Sequence, residues 1–122
     1  MSLSRSGPMR SKFGNRKTIM DGIRFDSQKE AAQYAKLRIL QKNGQIGDLK
    51  VHPSYLIQEG FRDFEGRKHR PVYYEADFEF QEKGTGTRII QDVKGFKTPV
   101  YKLKKKIFLR SLPAGTVFKE LF

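Results

Sequence analysis

The chain has 122 residues, a length suited to one domain with a modest hydrophobic core. It contains no cysteine, which excludes disulfides and zinc sites built on thiolates. Its net charge of +12 at pH 7 is unevenly placed: five basic residues and no acid lie within residues 1–20, seven and no acid within residues 94–110, and the remainder is balanced. Such a concentrated basic footprint predicts a polyanionic partner, most simply a nucleic acid.

No apolar run approaches the 18 residues that a transmembrane helix needs, and no apolar segment of a secretory signal is visible. We therefore expect a cytoplasmic protein without a membrane partner. Residues 1–20 are rich in Ser, Gly, Arg and Lys and are interpreted as a flexible basic arm, with a single domain over residues 21–122.

The first predicted helix begins with the capping box formed by Ser27 and Glu30, and it ends at Asn43 and Gly44. In a capping box the Glu side chain returns to the backbone at the helix start, so Glu30 needs no further role. Residues 48–58 then predict a strand that bends at Pro53.

Residues 71–81 alternate strictly between apolar and polar side chains, which predicts one strand with an apolar face. Its apolar row is expected to contain Val72, Tyr74, Ala76, Phe78 and Phe80. Tyr73, Glu75, Asp77 and Glu79 are expected to face the other way, Glu75 and Glu79 as peripheral groups, with Glu75 an alternative ligand of a second metal.

Residues 83–86 predict a hairpin loop, and the sequence RIIQDVKG that follows predicts the next strand. Thr98 and Pro99 are typical of the N-cap and first position of a second helix. Residues 115–122 predict a last strand. We expect the second helix to bury its most regularly spaced apolar residues, namely Val100, Leu103, Ile107 and Leu112, with Phe108 at the border.

Asp77, Asp92 and Lys94 are the residues in this layout that suggest chemistry. Asp92 and Lys94 are two apart and so share a strand face, and a hairpin brings their strand beside that of Asp77. Two neighbouring carboxylates with an adjacent lysine suit a hard divalent cation that acts on a phosphodiester. A cross-strand ion pair on a solvated sheet remains the alternative.

The order Glu30, Asp77, Asp92-Val93-Lys94 within an α-β-β-β-α-β layout resembles the PD-(D/E)xK nuclease superfamily. The chain is more closely similar to a small phage-encoded family within it, along about residues 12–122. The strings that carry this similarity are KFGNRKTIMDGIRFDSQKEAAQYAKL, YEADFEF, QDVKGFKT and VYKLKKKIF.

The resemblance implies an α/β fold with a restriction-endonuclease-like core, a mixed central sheet flanked by helices, and DNA cleavage that depends on Mg²⁺ or Mn²⁺. It implies that Asp77, Asp92 and the Val93 carbonyl bind metal and that Lys94 is the catalytic lysine. Glu30 is then either a further metal ligand or only a helix cap. Branched recombination or replication intermediates are one expected substrate class, and a homodimer is one expected assembly.

The basic residues predict the DNA contacts. Lys102, Lys105 and Lys106 are expected on a solvated face of the second helix, while Lys104 turns toward its buried side. The full set of predicted nucleic-acid-binding residues is Lys97, Lys102, Lys104, Lys105, Lys106, Arg16 and Lys17. His52 and His69 have no metal-ligand spacing and are interpreted as surface or packing histidines. A basic accessory protein that binds DNA or RNA without catalysis is the alternative function.

Overall fold

The computed structural model of the chain describes residues 17–95 and 97–122. The predicted arm lies outside the described residues as far as Arg16, but Thr18–Met20 at its end already form a strand. Neither helix of the described part is long and apolar enough to span a membrane. The helices are α1 (Gln28–Lys42) and α2 (Pro99–Arg110), and the strands are β1 (Thr18–Met20), β2 (Ile23–Phe25), β3 (Ile46–Val51), β4 (Ser54–Gln58), β5 (Phe61–Arg62), β6 (Lys68–His69), β7 (Val72–Glu75), β8 (Phe78–Glu82), β9 (Arg88–Val93) and β10 (Thr116–Leu121).

A four-stranded mixed sheet in the order β10-β9-β8-β3 forms the centre of the fold. Strand β8 runs antiparallel to both β3 and β9, whereas β9 and β10 are parallel, with Arg88 opposite Thr116 and Val93 opposite Leu121. Parallel neighbours need a crossover connection, and α2 provides it. The sheet elements and helices follow the order α1-β3-β8-β9-α2-β10, so the predicted α/β layout with a mixed central sheet is confirmed.

The two faces of the sheet carry separate hydrophobic clusters because side chains alternate along each strand. Ile89 of β9 points to one face and Ile90 to the other. The α1-side core consists of Phe25, Ala31, Tyr34, Leu37, Ile46, Phe78, Phe80, Ile89 and Val93. The α2-side core consists of Tyr74, Ala76, Ile90 and Phe108.

The predicted continuous strand over residues 71–81 is wrong, because the chain bends between β7 and β8 at residues 76–77. Tyr74 therefore packs in the α2-side core while Phe78 packs in the α1-side core. The alternation over residues 71–81 belongs to two shorter strands, Val72–Glu75 and Phe78–Glu82. The bend changes which side of the sheet each half faces.

The predicted bend at Pro53 is confirmed, and it lies opposite the bend at residues 76–77. The backbone N–H of His52 donates to the Asp77 carbonyl at 2.9 Å, and the N–H of Ala76 donates to the Pro53 carbonyl at 3.0 Å. Beyond these bonds β4 leaves the central sheet and pairs with β7. One antiparallel pair thus runs from β3–β8 into β4–β7 through a shared corner, which we call the double bend (residues 52–53 and 76–77).

Helix α1 begins as predicted, with the Ser27 hydroxyl accepting a hydrogen bond from the Glu30 N–H at 3.1 Å. It ends before Gly44, whose φ of 77° lies in the left-handed region that favours glycine. Tyr34 and Leu37 follow Glu30 by four and seven residues, so all three lie on the buried side of the helix. This places the Glu30 carboxylate against the sheet.

Helix α2 also begins as predicted, with Thr98 as N-cap and Pro99 in its first turn. Its predicted buried stripe is wrong for Val100, Leu103 and Ile107, which are exposed, whereas Leu112 packs against the α2-side core as predicted. Phe108, expected at the border of the stripe, is buried. The ring of Phe108 stacks on Tyr74 with centroids 4.5 Å apart. Aromatic packing on Tyr74 therefore determines the orientation of α2, in place of the regular aliphatic spacing.

Replacing Phe108 and Leu103 separately by Ala tests this orientation, because both lie on α2. Phe108 is 3% exposed, so Phe108→Ala should lower the free energy of unfolding by about 3–5 kcal/mol. Leu103 is 60% exposed, so Leu103→Ala should change it by less than about 0.5 kcal/mol. Urea unfolding followed by circular dichroism measures both, and similar losses in the two variants would contradict the orientation.

Candidate active site

Three potential metal ligands converge where the double bend meets the first turn of α1. The carboxylates of Glu30 and Asp77 and a ring nitrogen of His52 lie within 4.8 Å of one another. Glu30 comes from α1, and the other two face each other across the double bend. We call this group the bend cluster.

Asp77 is fixed in the bend cluster by the backbone of β9. Its N–H donates to the Gln91 carbonyl at 3.0 Å, and its Oδ2 accepts a hydrogen bond from the Val93 N–H at 2.6 Å. Burial raises the pKa of Asp77, while the hydrogen bond from the Val93 N–H and the electrostatic effects of Lys94 and His52 oppose that rise. The Asp77 carboxylate is thus held in a defined orientation and has little access to solvent.

Glu30 takes part in the helix cap through its backbone and in the bend cluster through its side chain. Its N–H bonds to Ser27, whereas its Oε1 lies 3.7 Å from Nε2 of His52. Burial, followed by the negative charges of Asp77 and Asp26, raises the pKa of Glu30 to about 7. The cap therefore does not use up the carboxylate, and the predicted ligand role is compatible with it.

Asp92 and Lys94 meet as predicted, but on the α2 side of the sheet. Asp92 has no exposed surface, and its Oδ2 accepts a hydrogen bond from the Tyr74 hydroxyl. The Nζ of Lys94 lies 3.5 Å from Oδ1 of Asp92 and 4.7 Å from the centre of the Tyr101 ring. Burial raises the pKa of Asp92 to about 6, against the opposing charge of Lys94.

The buried Oδ1 of Asp92 has no hydrogen bond within the described part of the chain. An ammonium 3.5 Å away supplies charge without a hydrogen bond of good geometry. The positive charge of Lys94 also opposes the rise in the pKa of Glu30 and of Asp77, so this ammonium acts on the bend cluster as well as on Asp92.

The carboxylates of the candidate site are suitable ligands for a divalent cation. Carboxylate oxygens are the ligands that hard cations prefer, and several buried carboxylates without a compensating cation are costly. The structure brings Glu30 and Asp77 into one group of atoms, whereas Asp92 lies outside that group. The predicted carbonyl ligand of Val93 stays a prediction.

His52 is the residue that sequence reasoning missed. Its partner Asp77 is 25 positions away, and no local spacing marks the pair. Only the pairing of β3–β4 with β7–β8 brings the two together. His69, by contrast, lies on the β5–β6 hairpin as a surface residue, where it pairs with Asp63 at 2.9 Å and stacks on Phe61.

Glu75 and Glu79, the acids on either side of Asp77, do not belong to the bend cluster. Glu79 is buried and bonds to Arg88 at 2.6 Å and to the Tyr55 hydroxyl. Glu75 is exposed. Glu79 is thus neutralised by its own partners.

A sequence model of one protein family, described as "Protein of unknown function (DUF1064)", matches residues 10–120. The chain belongs to the DUF1064 family. None of the curated proteins and none of the solved structures that were compared with it matches the chain. The family description states no activity, so a function for the DUF1064 protein has to be argued from its site.

The residues predicted to contact nucleic acid in the DUF1064 protein differ in their exposure and pairing. Lys97 and Lys105 pair with Glu120 at 3.2 and 3.1 Å, so the predicted solvated position of Lys105 is wrong. Lys102 and Lys106 are exposed on α2, as predicted. Lys104 is partly buried, Lys17 is exposed and Arg16 lies outside the described residues.

The raised pKa of Glu30 makes the stability of the DUF1064 protein depend on pH. The folded state holds this proton more tightly than an ordinary Glu with a pKa of 4.5. The resulting stabilisation is complete below about pH 4.5 and is lost as the pH rises through about 7. In EDTA at pH 8, Glu30→Gln should therefore raise the free energy of unfolding by roughly 1–3 kcal/mol.

Urea unfolding at pH 8 and at pH 4.5 measures this difference, which should shrink at the lower pH. Glu65→Gln is the control, since Glu65 is exposed in the loop of the β5–β6 hairpin (residues 61–69), which we call the distal hairpin. A Glu30→Gln variant that is less stable than the parent at pH 8 would mean that Glu30 acts mainly as a helix cap.

Proposed function

We propose that the DUF1064 protein is a DNA endonuclease that depends on a divalent cation and has a restriction-endonuclease-like core. The observation that carries the proposal is that two pairs of residues lie at one end of the central sheet. Glu30 lies with Asp77 in the bend cluster, Asp92 lies with Lys94, and the Val93 N–H between the latter two donates to Asp77. These four residues come from α1, the double bend and the end of β9. They are the residues that the resemblance to PD-(D/E)xK nucleases marks as functional.

The fold supports the same proposal at a coarser level. The order α1-β3-β8-β9-α2-β10 and the mixed sheet agree with the layout that the resemblance implies. Fold alone does not assign function, since one fold hosts many activities. The proposal therefore depends mainly on the buried carboxylates and on Lys94.

The carboxylates would hold the cation, with Asp77 and Glu30 in one group and Asp92 beside them. When bound, a divalent cation polarises the phosphodiester and lowers the pKa of a coordinated water. Asp77 is kept in place by the Val93 N–H, so that its orientation does not depend on the ion. Burial of these groups excludes bulk water and strengthens their electrostatic action.

Lys94 is the residue placed to act on the attacking water and on the charge of the phosphate. Asp92 lies 3.5 Å from its ammonium, and the Tyr101 ring covers it. Both contacts limit the positions of a side chain that would otherwise be flexible. A fixed ammonium beside the carboxylates can orient a water and stabilise the negative charge that develops on the phosphoryl oxygens.

DNA would be recognised by charge and shape. Lys102 and Lys106 are exposed on α2, the helix that also contributes Tyr101 beside Lys94. Lysines placed in this way contact phosphates and carry no sequence information. This favours a substrate chosen by its structure, such as branched DNA, and Mg²⁺ or Mn²⁺ as the cation.

Cleavage should require the divalent ion and the carboxylates that would hold it. We expect cleavage with Mg²⁺ or Mn²⁺ and none in EDTA, and we expect Asp77→Asn and Asp92→Asn to abolish it while DNA binding persists. A panel of linear duplex, single-stranded, flapped and four-way DNA, resolved on denaturing gels, measures this.

Asp63→Asn is the matched control, because Asp63 lies on the distal hairpin and pairs with His69. It should cleave like the parent. Undiminished cleavage in EDTA would rule out the mechanism, whereas binding without cleavage of any substrate would favour a non-catalytic accessory protein.

Exposed lysines of α2 should set the salt dependence of DNA binding. Replacing Lys102 and Lys106 together by Gln should lower the log–log slope against salt by about 0.9 for each lost phosphate contact on duplex DNA. Fluorescence anisotropy from 50 to about 200 mM salt, a range over which phosphate contacts strongly affect affinity, measures the slope.

The double variant Lys42→Gln/Lys83→Gln removes the same charge elsewhere. Lys42 ends α1, roughly 18 Å along the helix from Glu30, and Lys83 follows the end of β8 that is remote from Asp77. An equal fall in slope for both double variants would mean that the basic excess acts only through net charge.

A further inference from the structure

His52 is exposed, as expected of a surface histidine, and its ring also faces the two carboxylates of the bend cluster. Its Nε2 lies 3.7 Å from Oε1 of Glu30, too far for a hydrogen bond, and Asp77 completes the group within 4.8 Å. Its ring also packs against Phe25, with centroids 5.5 Å apart. The contact with Phe25 and the backbone geometry of the double bend therefore orient the imidazole toward the two carboxylates.

The separations in the bend cluster suit a shared ion better than direct contacts. Ligand atoms about 2.1 Å from one ion can lie up to about 4.2 Å apart. Only ligands on opposite sides of the ion reach that span, and adjacent ligands lie about 3.0 Å apart. The 3.7 Å between His52 and Glu30 falls between these two values, and the cluster, whose ligand atoms lie within 4.8 Å of one another, would contract around a bound ion.

The presence of a nitrogen ligand beside the carboxylate oxygens affects which cation the cluster prefers. Mg²⁺ favours all-oxygen surroundings, whereas imidazole nitrogen suits first-row transition ions. Glu30 and Asp77 alone would match a site for Mg²⁺. Adding His52 gives a set of one nitrogen and carboxylate oxygens.

We propose that His52 is a direct nitrogen ligand of the cation at the bend cluster, and that the cluster binds Mn²⁺ or a later first-row transition ion in preference to Mg²⁺. Binding at Glu30, His52 and Asp77 is a property of the protein without DNA. Its catalytic meaning rests on the proposed function, because the same ion would serve phosphodiester cleavage.

The test removes the imidazole while keeping the backbone of the double bend. His52 has a φ of 56°, in the left-handed region, and Asn accepts this conformation better than most residues. His52→Asn is therefore the main variant and His52→Ala the second. His69→Ala, on the distal hairpin, is the control that loses an imidazole outside the cluster.

The full chain without DNA is titrated with Mn²⁺, and free Mn²⁺ is followed by electron paramagnetic resonance. Competition with Mg²⁺ then gives the ratio of the two affinities. We expect the parent and His69→Ala to prefer Mn²⁺, and the His52 variants to bind Mn²⁺ about 10–100-fold more weakly, with a smaller change for Mg²⁺. Circular dichroism in EDTA should show the same fold for all four proteins.

An unchanged Mn²⁺ affinity in a folded His52→Asn or His52→Ala variant would overturn the inference, as would an equal loss for Mg²⁺. Failure of the proposed function gives a different result. Binding of Mn²⁺ through His52 without cleavage of any DNA would support the metal site and contradict the nuclease. Cleavage with a metal preference that is independent of His52 would support the nuclease and contradict the nitrogen ligand.

Discussion

The pair of backbone hydrogen bonds at the double bend is the constraint on which the site depends. His52 donates to Asp77 and Ala76 donates to Pro53, so two chain segments bend at the same place. Pro53 has no N–H to continue the ladder of the central sheet, and the pairing turns away at this point. The bend leaves Asp77 beside β9 and faces it with His52. Helix α1 then needs only its first turn to bring Glu30 into the same space.

The buried carboxylates of the candidate site lower the stability of the folded protein. Burial raises the pKa of Glu30, Asp77 and Asp92, so each carboxylate opposes folding when it is ionised. A structural ion pair would normally be supported by direct hydrogen bonds, yet one oxygen of Asp92 has none among the described residues. Groups that destabilise the free protein and can be compensated by a cation are typical of functional sites.

Local signals in the sequence predicted the elements well, and non-local contacts account for what it missed. Ser27 and Thr98 cap helices through their nearest residues, so both helix starts could be read directly. The pairing of Asp92 with Lys94 followed from their spacing along one strand, and the position of Asp77 beside β9 followed from strand pairing. The sequence did not predict that Asp77 groups with Glu30 while Asp92 lies outside that group. The position of His52 beside Asp77 depends on the pairing of strands 25 residues apart, which no periodicity in the sequence indicates. The alternation over residues 71–81 was misleading because a bend preserves the pattern while changing the face.

The orientation of α2 also depends on a non-local contact, and it affects the residues of the candidate site. Three regularly spaced aliphatic residues suggested one buried face, but the stacking of Phe108 on Tyr74 selects another. That choice also turns Tyr101 toward Lys94, whose ammonium it covers, and brings Lys105 to Glu120. Tyr74 in turn bonds to Asp92. One aromatic contact in the α2-side core therefore links the crossover helix, the catalytic lysine proposed here and the buried carboxylate that holds it.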